Sequence, residues 1–137
     1  MKKMTFNIHI HAPASKGYDL MLGLSSKTSY EQWTALFNPT STYRGSWVKG
    51  SKMLFIGTDE NGEGGMVSEI ADNQPNRFVS IRHYGLLQAN AEITEGPEVE
   101  KWANSYENYT FLEKHGTTTV TVDLDTTEDF MDYMNQT

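Results

Sequence analysis

The sequence predicts an α+β domain in which one antiparallel β-sheet carries its helices on a single side. An alternating strand pattern at the start is followed by two short helical patterns, and six strand-like stretches then run between residues 42 and 124. A last helical pattern begins at residue 126. The predicted order is therefore strand, helix, helix, six strands and helix, with about seven strands in all.

The first strand is predicted from a regular alternation of apolar and polar residues. Its apolar face consists of Met4, Phe6, Ile8 and Ile10. A period of two residues is typical of a strand with one buried face. Pro13 then suits the first turn of a helix, and an apolar stretch continues up to Ser25 and Ser26. The first helix is therefore expected between these positions.

The second helix is predicted from a capping-box pattern and from helical spacing. Ser29 and Gln32 lie three residues apart, as the capping box requires. Apolar side chains recur at helical spacing in Tyr30, Trp33, Leu36 and Phe37. The pair Asn38-Pro39 is expected to end the helix, because the residue before a proline avoids the helical region.

Six strands are predicted in the remaining chain, separated by turn signals. They cover residues 42–48, 52–58, 65–72, 77–84, 106–114 and 117–124. The pair Asn61-Gly62 favours a tight hairpin turn in which both residues have positive φ. His115-Gly116 is expected to join the last two strands, in which apolar and polar positions again alternate.

Two segments outside these strands carry distinct predictions. Residues 86–105 lack a usable apolar pattern, and so long a loop in a small domain is usually a lid, a binding flap or a mobile excursion. Residues 126–137 begin like a helix, with Thr126 as the candidate cap and with Phe130, Tyr133 and Met134 on one stripe. We therefore expect a flap before the last hairpin and a helix after it.

Length and composition exclude several classes of protein. The 137 residues suffice for one domain, residues 1–137, and 37% of them are hydrophobic. With no cysteine, the chain has no disulfide, thiolate metal site or thiol nucleophile. A net charge of −7 argues against a nucleic-acid partner, which requires a cationic surface. No run approaches the roughly 18 apolar residues of a membrane span, so a soluble, cytoplasmic protein is expected.

Six stretches over nearly the whole chain carry a family resemblance. They are His11-Ala12-Pro13-Ala14, Trp33, Trp47 to Met53, Gly65 to Ile70, Pro75 to Val79 and Gly116 to Val120. In these stretches the chain resembles the START-like, helix-grip superfamily (SRPBCC). Within it, the chain is similar to the AHSA-like branch, which includes the C-terminal domain of the activator of the ninety-kilodalton heat-shock protein's ATPase. The stretches mark turns and core faces and contain no catalytic signature.

The resemblance implies a strongly curved antiparallel sheet that grips a long C-terminal helix, with a cavity between them. In that family the cavity typically takes a small hydrophobic or amphipathic molecule. The family's helix crosses the sheet completely, whereas the helix predicted here has about 11 residues, roughly 16 Å. The helix is therefore expected to be truncated, by one or two dozen residues for this fold.

The candidate site is the cavity that this fold implies, lined by aromatic, methionine and isoleucine side chains with one histidine. We expect the following residues to face it: Trp33, Phe37, Met53, Phe55, Ile81, His83, Tyr109, Phe111, Phe130 and Met134. Large rings and pliable methionines suit an adaptable apolar pocket. The same side chains are also ordinary core material, so a filled core is the alternative.

His83 is the residue of this set that could take part in acid–base chemistry. Its strand neighbours Val79 and Ile81 are apolar, so the imidazole is expected to be partly buried. It could orient a ligand or act as an acid or base, with a carboxylate from Glu69, Glu107 or Glu113. The simpler interpretation is a neutral histidine whose nitrogen is satisfied by a tyrosine hydroxyl or a backbone carbonyl.

Three functions remain open at this stage, and none requires a cofactor. The first is a binding domain without catalytic activity for a small hydrophobic or amphipathic molecule. The second is a cyclase, dehydratase or hydrolase that uses His83 with a carboxylate or Tyr84. The third, implied by the resemblance alone, is a module that binds a chaperone partner. A metal site is not expected, since His9 and His11 share one strand face but lack a recognisable third ligand.

Overall fold

The computed structural model describes residues 2–35, 40–100 and 104–126, which form one open, curved antiparallel sheet with helices. The strands are β1 (Lys2–Ile10), β2 (Thr42–Gly45), β3 (Lys52–Asp59), β4 (Gly62–Gln74), β5 (Phe78–Gln88), β6 (Ala91–Ile93), β7 (Ser105–Lys114) and β8 (Thr117–Thr126). The helices are α1 (Ala14–Leu22), α2 (Lys27–Thr34) and the short α3 (Pro97–Glu100). The predicted α+β class is confirmed.

The strand order of the sheet is β1-β8-β7-β5-β4-β3-β2. The short strand β6 is not part of this linear order and pairs with β5. Strands β1 and β2 lie at opposite ends, and α1 and α2 connect them along the chain. The pairs β3–β4, β4–β5 and β7–β8 are antiparallel neighbours that follow one another in sequence. The described helices thus span from one end of the sheet to the other.

The predicted apolar face of β1 is confirmed. Along β1, exposed residues alternate with the half-buried apolar side chains. Phe6 lies opposite Val122 of β8, and Ile8 lies opposite Val120. Both valines are fully buried, so β1 covers one end of the core.

The core lies between the sheet and helices α1 and α2. Tyr18, Met21 and Leu22 of α1 are buried against the inward residues of the strands. The ring of Tyr18 meets that of Phe111 edge to face, with centroids 5.6 Å apart. An apolar helix face packed on an apolar sheet face removes both from water, which is the main stabilising contribution in such a domain.

The start of α2 differs from the predicted capping box. The N-cap residue is Ser26, and Ser29 lies inside the first turn of the helix. The hydroxyl of Ser29 donates to the carbonyl oxygens of Leu20, at 2.8 Å, and Ser26, at 3.0 Å. Ser29 therefore ties α2 to α1, a role that local spacing could not show. The predicted continuation through residues 36–39, including Phe37, lies outside the described residues.

The hairpin between β3 and β4 is present, but its turn differs from the prediction. Asp59 pairs with Gly62, so Glu60 and Asn61 are the two turn residues. Gly62 has a φ of 114°, whereas Asn61 does not adopt a positive φ. The glycine is needed directly after the turn, as in a hairpin with a glycine bulge, and the prediction for Asn61 was wrong.

The segment 86–105 is not the long loop that its composition predicted. β5 continues to Gln88 and turns at Ala89 and Asn90, both with positive φ, into β6. The side-chain oxygen of Asn90 accepts a hydrogen bond from the backbone N–H of Glu63 at 2.9 Å. Helix α3 follows, and its Val99 is buried. Hydrogen bonds and apolar burial thus order most of this segment.

The C-terminal helix was predicted over residues 126–137, and all but the first of these lie outside the described residues. β8 continues to Thr126. Residues 127–137, with Phe130 and Met134, lie outside the described part of the chain. None of the helices described here has the length and hydropathy of a membrane span.

Candidate functional site

A small cavity lies between helices α1 and α2 and the face of the sheet that they cover. Its volume is about 20 Å³. It is lined by Met21, Leu22, Tyr30, Trp33, Trp47, Phe55, Ile81, Glu107 and Tyr109. This volume holds about one water molecule. These lining residues make the wall apolar and largely aromatic, and Glu107 is the charged side chain among them.

The aromatic wall is fixed to the C-terminal end of α1 by hydrogen bonds. The indole N–H of Trp33 donates to the carbonyl of Met21 at 2.9 Å, and that of Trp47 donates to the carbonyl of Leu22 at 3.0 Å. The hydroxyl of Tyr43 donates to the same Leu22 carbonyl at 2.8 Å. The last carbonyls of a helix have no partner within it, so these donors satisfy them. They also hold both indoles against the cavity.

The rings form a continuous row across the wall. Tyr43 lies between Tyr30 and Trp47, with ring centroids 4.8 Å and 5.3 Å away, both in edge-to-face geometry. Phe55 follows Trp47 at 5.8 Å and reaches the imidazole of His83 at 6.2 Å. Edge-to-face pairs of this kind add about 0.5–1.5 kcal/mol each beyond area burial. The row connects the helices to the polar end of the cavity.

A chain of four polar side chains lies at that end. Ser68 and Nδ1 of His83 are hydrogen-bonded at 2.6 Å, and Nε2 of His83 lies 3.4 Å from Oε1 of Glu107. The hydroxyl of Tyr109 donates to Oε2 of Glu107. Ser68 and His83 are buried, and the Glu107 side chain is 29% exposed. The carboxylate is thus held from both sides where it meets the cavity.

Strand pairing brings this polar chain together. Ser68 of β4 lies opposite His83 of β5, and Ile81 of β5 lies opposite Glu107 of β7. Alternation along β5 puts His83 and Ile81 on the same face, and alternation along β7 does the same for Glu107 and Tyr109. Neighbouring residues on three adjacent strands therefore converge on one carboxylate.

The surroundings shift the pKa values of the acidic groups around the cavity. Burial opposes ionisation of Glu107, but the hydrogen bond and charge of His83 and the Tyr109 hydroxyl outweigh it, so its pKa is below the ordinary value. Burial and then the charge of Glu107 raise the pKa of Tyr109. Burial and the same charge raise the pKa of Tyr30. At neutral pH the site therefore has one carboxylate and neutral phenols.

The structure places the predicted site residues in three groups. Trp33, Phe55, Ile81 and Tyr109 line the cavity described above. Met53, His83 and Phe111 are buried in the core but are not among its lining residues. Phe37, Phe130 and Met134 lie outside the described residues. That these residues form a ligand site stays a prediction.

The partners of His83 differ from the simpler interpretation. Its nitrogens face a serine hydroxyl and a carboxylate, where a tyrosine hydroxyl or a backbone carbonyl was expected. Glu107 was one of the three candidate carboxylates, and the structure selects it over Glu69, which lies by Arg82. Tyr84 directly follows His83 in β5 and therefore points to the opposite face of the sheet, where the Arg82 guanidinium lies 5.2 Å from its ring centroid.

Ser68, His83 and Glu107 have the residue types of a catalytic triad but not the access of one. Ser68 has 0% exposure and is not among the residues that line the cavity. A nucleophile must reach the substrate, and this hydroxyl is enclosed. The chain of hydrogen bonds therefore orients Glu107 in the cavity wall.

Five lining residues were not among the predicted site residues: Met21, Leu22, Tyr30, Trp47 and Glu107. Tyr30 shares the helical spacing that singled out Trp33, which lies three residues later. Glu107 shares the strand face of Tyr109 by alternation. Both signals were in the sequence, whereas the position of Trp47 after β2 depends on the tertiary packing of that loop.

His9 lies in β1, whereas His11 lies beyond the end of this strand at Ile10, so the two do not share one strand as predicted. Nδ1 of His9 lies 3.2 Å from the hydroxyl of Thr119 on β8. Within residues 2–35, 40–100 and 104–126, no three histidine, aspartate or glutamate side chains are grouped so as to hold a metal ion.

Solved structures share this fold at low sequence identity. The protein ChR145 of Cytophaga hutchinsonii has a TM-score of 0.67 and 14% identity, with 99% of this chain and 85% of that chain covered. The Aha1 dimer of Colwellia psychrerythraea has a TM-score of 0.63 and 20% identity, covering 99% and 87%. CalU16 of Micromonospora echinospora has a TM-score of 0.61 and 14% identity, covering 94% and 62%.

These likenesses concern the fold alone, and the described architecture is consistent with the helix-grip fold. This chain spans less than two thirds of the length of CalU16. No family model matches the chain, and no curated protein matches it significantly. The likeness to the Aha1 dimer carries no partner over to this chain.

Proposed function

We propose that this chain is a START-like domain that binds a small amphipathic molecule in the cavity described above. One observation carries the proposal: among the described residues, an apolar, mostly aromatic wall is interrupted by one carboxyl group, that of Glu107. Ligand sites typically combine such apolar walls with few, well-placed polar groups. The apolar part of the ligand would pack on the rings, and its polar part would lie at Glu107.

The size of the cavity limits what can bind without movement. About 20 Å³ admits one group the size of a water molecule, whereas drug-sized ligands occupy roughly 300–1,000 Å³. The polar group of the ligand would fill the existing space, and wall side chains would move to admit its apolar part. Met21 is suited to such movement, because an unbranched thioether side chain re-packs readily.

The pKa shifts favour binding over acid–base catalysis. An efficient general acid or base has a pKa near the working pH. In this site the pKa of Glu107 is lowered, and that of Tyr109 is raised, so both move away from neutrality. The groups are held in fixed charge states, which suits recognition of a ligand more than proton transfer.

The experiment is an NMR titration of the wild-type chain with small amphiphiles, followed through backbone and indole N–H signals. The indoles of Trp33 and Trp47 both line the cavity, so binding there should shift their N–H signals in a saturable manner. Val48 and Leu112 are exposed large apolar residues and report non-specific association. Shifts confined to these two residues, or no saturable shift at millimolar ligand, would contradict the proposal.

A further inference from the structure

We infer that the ligand group held at Glu107 is a primary ammonium, so that the domain selects amphipathic amines. This inference rests on the proposed function and adds the chemical class of the ligand. It is carried by three features of the cavity: the carboxylate at its polar end, the aromatic wall and the volume.

The polar end of the cavity presents the carboxylate of Glu107, whose two oxygens accept hydrogen bonds. A carboxylate accepts about four hydrogen bonds. Nε2 of His83 lies at Oε1 of Glu107, and the hydroxyl of Tyr109 donates to Oε2, so each oxygen keeps room for a further donor. The Tyr109 proton is already used in this bond. A ligand carboxylate placed there would meet the like charge of Glu107.

The charge and the rings favour a cation among the possible donors. Glu107 is the charged side chain among the described lining residues, and five of the nine lining residues are aromatic: Tyr30, Trp33, Trp47, Phe55 and Tyr109. Tryptophan and tyrosine rings attract a cation through their quadrupoles, most strongly when water is excluded. A neutral hydroxyl would gain the hydrogen bond but neither of these charge-dependent contributions.

The volume decides which cation fits. A space of about 20 Å³ accepts one group the size of water, and an –NH₃⁺ group is of that size. A quaternary ammonium carries three further methyl groups, and a guanidinium is a planar group of four heavy atoms. Both would require the polar end itself to expand, where the hydrogen bonds of Ser68, His83 and Tyr109 hold it in place.

The test compares four ligands that share a six-carbon tail: hexylammonium, hexyltrimethylammonium, hexanol and hexanoate at pH 7. Each is titrated into the wild-type chain and into Glu107→Gln, with affinities from the NMR shifts of the cavity residues. We expect wild type to bind hexylammonium about tenfold or more tighter than hexanol, since hydrogen bonds to charged groups are the stronger class. Hexyltrimethylammonium and hexanoate should bind more weakly than hexylammonium. Glu107→Gln should lose most of the preference for the amine over the alcohol, because the charge that distinguishes the two ligands is removed.

The outcomes separate this inference from the proposed function. Equal affinities for the amine and the alcohol, or tighter binding of hexyltrimethylammonium, would overturn the inference while ligand binding itself stands. Failure of all four ligands to bind wild type would overturn the proposed function and the inference with it. If Glu107→Gln does not fold, the order of the four affinities in wild type still decides the question.

Discussion

His83 and Glu107 face each other across neighbouring strands, with Nε2 of the imidazole 3.4 Å from Oε1 of the carboxylate. Glu107 is thereby connected through His83 to the buried hydroxyl of Ser68. A buried polar network of this kind is stabilising only when its members are satisfied together. The charge of Glu107 and the stability of the fold are therefore linked, and the free energy of unfolding measured against pH tests this link.

Glu107→Gln should flatten the dependence of stability on acid pH. The folded-state pKa of Glu107 lies below its ordinary value of 4.5, so the unfolded chain binds the proton more readily. The stabilisation is present above the unfolded pKa and is lost as the pH falls through the folded pKa. At pH 7 we expect the variant to be less stable by about 1–3 kcal/mol. Urea unfolding between pH 3 and pH 7 should show this difference shrinking below about pH 4.5.

The control for this comparison is Glu60→Gln, which removes one exposed carboxylate from the turn between β3 and β4. For Glu60→Gln, the free energy of unfolding should stay close to that of wild type at every pH, with no difference that shrinks in acid. If the free energy of unfolding of Glu107→Gln differs from that of wild type by the same amount at every pH, the His83–Glu107 pair does not contribute to pH-dependent stability.

Ser68→Ala should destabilise the fold by about 1–3 kcal/mol, because it leaves Nδ1 of His83 buried without its partner. Ser80→Ala is the matched control: Ser80 is also a buried serine in a central strand, but it lies outside this network. We expect the control to cost less than Ser68→Ala, because it does not remove the hydrogen-bond partner of His83. Equal losses in urea unfolding for the two variants would indicate a packing effect common to buried serines.

Part of this site could be predicted from the sequence, because alternation fixes which residues share a strand face. Tyr109 and Phe111 were expected to face the core, and the same period includes Glu107. Alternation predicts which face of the sheet a side chain lies on, but not how deeply that side chain is buried. Glu107 is largely enclosed because Ile81 pairs opposite it and Tyr30 of α2 lines the same cavity, both of which are tertiary facts.

The pairing of Ser68 with His83 could not be predicted from local patterns. The register between β4 and β5 shifts between Val67 and Ser68 and again between Ile70 and Asp72. One inserted residue changes which side chains meet across a ladder. The turn at Ala89 and Asn90 was missed for a different reason, since alanine seldom adopts positive φ and therefore gives no turn signal.

Gly65→Ala should be among the most destabilising substitutions in β4. Gly65 has a φ of 140°, and a Cβ there would overlap the carbonyl oxygen of Phe55 on β3. Gly50 also has a positive φ, 87°, but a Cβ there would meet no atom within 4 Å. Gly50→Ala thus measures the backbone cost alone, about 1–2 kcal/mol, and Gly65→Ala should cost about 3 kcal/mol or more. Similar urea midpoints for the two variants would contradict the close approach of β3 and β4.

Ile81→Ala and Ile70→Ala separate the cavity from the rest of the core. The two isoleucines pair directly across β4 and β5 and are almost fully buried, but only Ile81 is among the residues that line the cavity. Each substitution should lower the free energy of unfolding by about 2–5 kcal/mol, since it removes buried atoms and leaves space behind.

The two variants should differ in what the new space can take up. In Ile81→Ala the removed atoms enlarge the existing cavity, which is apolar on that side and should bind xenon. The N–H signals of Trp33 and Trp47 should then shift under xenon pressure, because both indoles line the same wall. In Ile70→Ala the removed side chain is not among the lining residues and Ile81 remains in the wall, so these two signals should shift less than in Ile81→Ala. Equal xenon shifts at the indoles of both variants would mean that the wall does not enclose a separate cavity.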